Sequence, residues 1–256
     1  MKIIVKEMDF LHTYRNKSLG LKSLSICRTN NWLPLKPSPL LASIIGHLLG
    51  DGSLSKDRMT GDFRFYGKIQ NLDKIKLILE TEFSLIPYSL YLHPNRGGYI
   101  LRYNNAIFAR ILELAGVPRG NKLVSEFGVP GWIMKGDRDI KKSFLRAILS
   151  DEMENIRKVN RKSWDGLRFG MSKDNRKLDH LIDFLNQIRR LLSEFKIKTS
   201  EIFIRKDKFS RKDGIVTCAA RFGIKVRIEN RSLFCSHIGF DDDEKQKILY
   251  SSIFDK

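Results

Sequence analysis

The chain has 256 residues, of which 42% are hydrophobic and 30% charged, so it can bury a substantial core and is not a disordered chain. Lys and Arg number 47 against 29 Asp and Glu, giving a formal net charge of +18 at pH 7 and pointing to a polyanionic partner. No apolar run approaches bilayer-spanning length and no signal-peptide core opens the chain, so no membrane association and a cytosolic or nuclear location are expected.

Residues 1–37 read as a small extension with leucine-rich spacing and a turn-rich exit through Leu33-Pro34-Leu35-Lys36-Pro37. Ser38-Pro39 then predicts a helix start, an N-cap residue followed by proline. The helix it opens contains Ile44-Ile45-Gly46-His47-Leu48-Leu49-Gly50-Asp51-Gly52, apolar until it ends in a carboxylate. Next come a hairpin in which Phe63 and Phe65 oppose Arg64, Tyr66 and Lys68, and an amphipathic stretch over residues 72–83. Arg102-Tyr103-Asn104-Asn105 leads through Phe108 to Gly116, with Lys122 six residues later. Residues 128–138 read as a connector. A second apolar helix, Leu145-Arg146-Ala147-Ile148-Leu149-Ser150-Asp151-Glu152-Met153, again ends in acid. Arg168-Phe169 and Asn175 repeat the spacing of Arg64-Phe65 and Asn71, and an amphipathic stretch follows over residues 178–195. Lys206 to Gly214 reads as a long basic hairpin tip. In the strand predicted over residues 221–228, Phe222, Ile224, Val226 and Ile228 share one face and Arg221, Gly223, Lys225 and Arg227 the other. Arg227-Ile228-Glu229-Asn230 then leads through Phe234 to Gly239, with Lys245 again six residues on.

The chain is therefore written twice. Each half reads as αββαββα, which makes the fold α+β and pseudo-twofold: extension 1–37, first lobe 38–127, connector 128–138, second lobe 139–256. Laid over each other, the two motifs put Gly46 on Ala147, small residues where helices can touch, and Asp51 on Glu152. Two carboxylates at the ends of two packed helices make an oxygen-ligand site for a divalent metal, whose natural substrate on so basic a chain is a phosphodiester. His47 reads as a packed interface histidine. His12, His93, His180 and His237 share no spacing that would support a zinc-centred nuclease. Cys27, Cys218 and Cys235 fit neither a disulfide framework nor a zinc spacing and are expected as buried free thiols. Lys122 and Lys245, alike in spacing, are either catalytic or solvated lysines. Sheets with helices on one face and basic residues on the other suit a groove of duplex DNA. The residues expected to touch DNA are Arg64, Tyr66, Lys68 and Gln70 in the first half and Arg205, Lys208, Arg211, Arg221, Lys225 and Arg227 in the second. The aromatics expected on these faces, Tyr66, Tyr91 and Tyr103, are too few for single-stranded RNA stacking and favour a duplex.

The two motifs, with Gly50-Asp51-Gly52-Ser53-Leu54 after the first and the passage from Gly116 through Val129-Pro130-Gly131-Trp132-Ile133, resemble the LAGLIDADG homing endonucleases, particularly the single-chain archaeal kind with two motifs. The resemblance covers roughly residues 38–253. It implies a saddle of two lobes with the motif helices at their interface. It also implies a monomeric double-stranded DNA endonuclease of intron homing, working in a prokaryotic, archaeal cytoplasm without a protein partner. Asp51 and Glu152 would hold Mg²⁺, with Mn²⁺ able to substitute, and cleavage across the minor groove would leave short 3′ overhangs. Lys122 and Lys245 match the family's central lysines, and Lys173, with Lys68 or Gln70 as partner, its polar residue after the first hairpin. The sequence departs from the pattern at Met153, in place of a glycine, at Ser150-Asp151, where Asp151 competes as a ligand, and at Ile69. These changes weigh on the second half, so the alternative is a weakened or inactive nucleic-acid-binding protein, a regulator or an RNA maturase. The absence of a terminal His-Asn pair before Asp255-Lys256, and the start at Met1, predict a free-standing protein and not an intein.

Overall fold

The computed structural model describes residues 2–94, 97–160, 163–225 and 227–254. Val226, placed above on the covered strand face, and the terminal Met1, Asp255 and Lys256 lie outside the described residues.

The extension forms α1 (Glu7–Leu11) and α2 (Lys17–Thr29). A bridge between Val5 and Leu35 closes it on itself, and the Trp32 indole joins it to the first half by donating to the Phe83 carbonyl at 2.8 Å. Ser38 accepts the N–H of Leu41 at 3.1 Å and Pro39 fills the first turn, so α3 (Pro39–Leu49) begins where the Ser-Pro pair places it. Leu41, Ala42, Ile44, Ile45, Leu48 and Leu49 are all buried, the pattern of a helix enclosed on every side. The first half continues with β1 (Ser53–Leu54), β2 (Asp62–Gly67), α4 (Ile69–Phe83), β3 (Ser89–Leu92), β4 (Tyr99–Asn104) and α5 (Ala106–Leu114). Its antiparallel sheet has the order β1-β2-β4-β3, with α4 and α5 packed on one face.

The short α6 (Gly131–Met134) leads to Asp137, which caps α7 (Arg138–Glu152) by accepting the N–H groups of Asp139 and Ile140. Then follow β5 (Arg157–Asn160), β6 (Ser163–Asp165), β7 (Arg168–Asp174), α8 (Leu178–Glu194), β8 (Phe203–Ser210), β9 (Val216–Gly223), α9 (Ile228–His237) and α10 (Asp243–Phe254). The second antiparallel sheet has the order β7-β9-β8, and β5 with β6 forms a separate hairpin. Met153 bridges to Phe169 at the edge of β7, much as β1 pairs with β2. The α+β class is therefore observed, with the αββαββα order kept in the first half and expanded by the β5–β6 hairpin in the second.

One continuous apolar core runs through both halves by way of α3 and α7. A Cβ on Gly46 would stand 2.8 Å from the Cβ of Ala147 and 2.8 Å from the Phe144 carbonyl, so the two helices touch where the repeat aligned their small residues.

Three expectations are corrected. The strand predicted over 221–228 ends at Gly223, with Ile224 only bridging to Thr199. Asn230 explains the break: its side chain accepts the Lys198 N–H at 2.7 Å and donates to the carbonyls of Lys198 and Lys225 at 2.8 and 2.9 Å, drawing the chain off the sheet into α9. Ile228 is consequently 48% exposed, and Arg227 stands at the N-cap of α9 and not on a strand face. Tyr103 is a core residue, 1% exposed and stacked on Phe63 at 5.1 Å, because it lies on the Phe63 side of the pleat. Cys27 and Cys218 are buried free thiols as expected, whereas Cys235 is only half-buried.

Candidate active site

The ends of α3 and α7 meet. The carbonyls of a helix's last turn have no partner within the helix and carry its negative dipole end, so a cation is favoured there. Lys122 donates to the carbonyls of Leu48 and Leu49 at 3.2 and 3.1 Å and to that of Gly50, at the end of α3. Lys245 donates to those of Ser150 and Met153 at 2.7 and 2.8 Å, at the end of α7. The two lysines aligned by spacing thus do the same work in each half, and neither is a freely solvated side chain.

Beside them stand Asp51, the more exposed of the two although crowded by the surrounding chain, and Glu152, half-buried. Among the described residues no side chain hydrogen-bonds to either carboxylate. Burial and the neighbouring charge of Asp151 push Asp51 up to about 6, against the opposing pull of Lys122, Lys245 and His47. Burial and the charge of Asp51 push Glu152 up to about 8. Burial holds both lysines below the usual lysine range, although Glu152 and Asp51 pull Lys122 back up, and Asp242, Asp151 and Asp51 pull Lys245. Both acids are thus costly to ionise where they stand, and a bound cation would relieve that cost.

Among the described residues no group of three or more His, Cys, Asp or Glu side chains is clustered to hold a metal ion by itself. Two unpartnered carboxylates nevertheless fit Mg²⁺, which keeps several waters and takes one or two protein carboxylates together with substrate phosphate oxygens.

Asp151, the candidate competing ligand, already has a partner. His47, 6% exposed, brings Nδ1 to 3.1 Å from both Asp151 oxygens and Nε2 to 3.7 Å from Asp241 Oδ2. Burial lowers the imidazole pKa, but the carboxylates of Asp151, Asp241 and Asp51 outweigh it and raise the pKa overall. The interface role expected for His47 holds, with an ionic network that the apolar motif gave no sign of.

Among the described residues Lys173 forms no hydrogen bond or ion pair with either acid. It is 2% exposed on β7, with its ammonium 3.9 Å from the centre of the Phe127 ring. Burial lowers its pKa to about 8, helped by the charge of Lys122.

On the open face of the first sheet, Arg64 and Arg102 face each other across β2 and β4 and share Asp62, with Arg102 Nε at 2.9 Å. These bonds outweigh burial and hold Asp62 below the ordinary carboxylate range. Tyr66 and Tyr91 flank Ile100 on the same face. The second sheet repeats the device: Arg168 and Arg221, on β7 and β9, both reach Glu154 at 3.3 Å. Arg102 and Arg168 are not among the contact residues expected from the sequence, although the alternation of their strands puts both opposite core aromatics.

The remaining candidates are scattered. Lys68 caps α4 and reaches Asp242 at 3.1 Å and Glu244, an ion pair between the halves and not on the open face. Gln70 is exposed in the first turn of α4. Arg205 and Lys208 project from β8, exposed along its whole length, with Arg205 3.6 Å from Asp207. Arg211 closes the hairpin turn against Asp213 at 3.4 Å. Lys225 and Arg227 are exposed beyond the end of β9.

No family model matches the chain. It is 28% identical over 185 residues to replication factor C small subunit from Methanocaldococcus jannaschii, covering 68% of this chain and 10% of the relative. It is likewise 28% identical over 200 residues to tRNA-splicing ligase RtcB from Pyrococcus abyssi, covering 72% and 22%. With DNA-directed RNA polymerase subunit Rpo1N from M. jannaschii it is 26% identical over 264 aligned positions, covering 93% and 18%. The chain thus spans between 10% and 22% of the length of these three relatives. Among solved structures, it is similar to I-DmoI in complex with DNA and Mn at 17% identity and a TM-score of 0.46, covering 79% of this chain and 97% of the other. It is similar to the homing endonuclease I-WcaI bound to its DNA recognition sequence at 15% identity and 0.49, covering 94% and 98%. It is also similar to full-length DUF199/WhiA from Thermatoga maritima at 10% identity and 0.49, covering 85% and 61%. No helix among the described residues is long and apolar enough to cross a membrane.

Proposed function

We propose that the chain is a site-specific double-stranded DNA endonuclease of the LAGLIDADG kind, a monomer using Mg²⁺ or Mn²⁺ held by Asp51 and Glu152. The observation that carries this is a carboxylate without a hydrogen-bond partner at each of two matched helix ends, with the orphan carbonyls of each end held by its own lysine. A bound divalent ion supplies Lewis-acid polarisation of the scissile phosphate and a water easier to deprotonate. The protein's part is to hold Asp51 and Glu152 toward one cleft and to keep Lys122 and Lys245 where their charge offsets that of the acids. Arg64, Arg102, Arg168 and Arg221 are oriented by Asp62 and Glu154 for phosphates or base edges on the open faces. The exposed cations of β8 and its turn, Arg205, Lys208 and Arg211, extend that basic surface. The three curated relatives carry unrelated names, which supports a module shared independently of each relative's own activity, as intron homing or a similar mobile role requires. A prokaryotic, archaeal cytoplasm is the location we assign.

A randomised duplex library incubated with Mg²⁺ or Mn²⁺ tests this. Cuts on both strands leaving short 3′ overhangs, lost in Asp51→Asn and Glu152→Gln, are expected. Duplex retention without cleavage under either metal would instead support a regulator or RNA maturase on the same scaffold. The half-burial of Glu152 without a hydrogen-bond partner favours that second reading, because burial and the charge of Asp51 push its pKa up to about 8 and disfavour the ionised form a metal needs.

A further inference from the structure

His47 occupies a position in an apolar motif, yet its ring is buried between two carboxylates of the opposite half, Asp151 and Asp241. From each acid a short chain of contacts leads to the site. Asp151 Oδ2 accepts the backbone N–H of Asp51 at 3.4 Å. Asp241 donates its backbone N–H to the Ser150 hydroxyl at 2.7 Å, and the Ser150 carbonyl receives Lys245 at 2.7 Å. Arg146 braces Asp241 from α7, with Nε 3.0 Å from Oδ1.

The arrangement occurs once in the pseudo-symmetric pair. At the place of His47, α7 has Ile148, and at the place of Asp151, α3 has Gly50. Gly50 leaves the room that Asp151 fills, since a Cβ there would stand 2.7 Å from Asp151 Oδ2.

We propose that His47 is a positioning residue which, through Asp151 and Asp241, sets the backbone of Asp51 and the ammonium of Lys245 for divalent-cation binding. This rests on the reading of Asp51 and Glu152 as metal ligands. Position and charge make opposite forecasts. If His47 acted only as a nearby positive charge, every neutral replacement would tighten cation binding. If it positions the site, a replacement survives only where it restores the donor at Nδ1.

The test is a Mn²⁺ titration of the full chain followed by electron paramagnetic resonance. The proteins are wild type, His47→Leu, His47→Asn, Asp51→Asn, Glu152→Gln and Leu24→Ala, the last a stability control in α2. His47→Leu is expected to weaken Mn²⁺ binding about 10-fold. His47→Asn, whose amide can donate near the place of Nδ1, and Leu24→Ala are expected to stay within about two-fold of wild type on the same scale. If His47→Leu does not fold, His47→Gln, whose amide reaches only the place of Nε2, takes its role. Equal affinity or tighter binding in both neutral variants, with wild-type binding intact, overturns the inference alone. Wild-type binding that Asp51→Asn and Glu152→Gln leave unchanged overturns the metal-ligand reading, and the inference with it.

Discussion

The ends of α3 and α7 solve one problem with different residues. In the first, Gly50-Asp51-Gly52 folds tightly: a Cβ on Gly52 would stand 2.8 Å from the His47 carbonyl and 2.8 Å from Leu48 Cα. In the second, Met153 takes an ordinary extended conformation with φ −85° and ψ 133°, and its side chain is buried beside Phe169. The departure at Met153 therefore strains no backbone, because the second chain leaves its helix by a different path. Common to both ends are a carboxylate and a lysine on the orphan carbonyls. The halves also clasp each other by different means. Asp241 and Asp243 hold Lys74 at 2.7 and 2.8 Å, and Asn71 reaches Asp242 at 3.0 Å. On the other side, Glu126 meets Lys177 and His180, and Gln187 accepts the Val129 N–H at 2.6 Å. Shared chemistry thus resides in the acids and lysines, while pairing of the halves resides in residues that differ.

The comparison breaks most sharply at the acids. On the proposed assignment, Asp51→Asn and Glu152→Gln each remove a metal ligand worth several kcal/mol of transition-state stabilisation, so cleavage is expected to fall on the order of 10³-fold or more. Strand-resolved sequencing gels read which strand each variant spares, and identical loss on both strands would show that the two ends do not act separately. The same Asp51→Asn change is expected to raise the melting temperature of the metal-free protein at pH 8. There, the folded state forces ionisation of a carboxyl raised to about 6, and the neutral amide removes that penalty.

At the helix contact, Gly46→Leu is expected to destabilise by about 3 kcal/mol in urea unfolding, because the added side chain meets the Phe144 backbone. The reciprocal Ala147→Gly, which removes a methyl and loosens a helix interior, is expected to cost about 1 kcal/mol. Equal effects would mean that the two helices are not packed through this pair.

Lys173 has no counterpart among the first half's buried residues. Lys173→Met is expected to stabilise by about 2 kcal/mol at pH 7. Burial lowers the folded pKa to about 8 from the ordinary lysine value of 10.5, so the folded state binds fewer protons between those values and wild-type stability rises with pH across that window. The advantage of the methionine should therefore fade above pH 10.5, and thermal scans at pH 7 and 11 check it.

The smallest effect expected is on the open faces. Arg102→Ala and Arg221→Ala should each weaken duplex binding by about 1 kcal/mol and lower the salt slope by about 1 if they contact phosphates. A change in sequence preference without a change in slope would assign them to bases.

Local chemistry was legible in the residues alone. The Ser38-Pro39 helix start, the Gly46–Ala147 contact, the alternation through Phe63 and Phe65, and the matched Lys122 and Lys245 all follow from period, volume and spacing. Their physical causes act within a few residues or recur in both halves. Tertiary structure alone decided what each lysine touches, that Asp151 is claimed by His47, that Lys68 joins the halves, and that Tyr103 belongs to the core. Those outcomes depend on partners 72 to 176 residues away in sequence, or on strand register, where one step turns a side chain from solvent to core. The strand beyond Gly223 failed for the same reason: alternation favoured its continuation, but Asn230 supplied the backbone with better hydrogen bonds elsewhere.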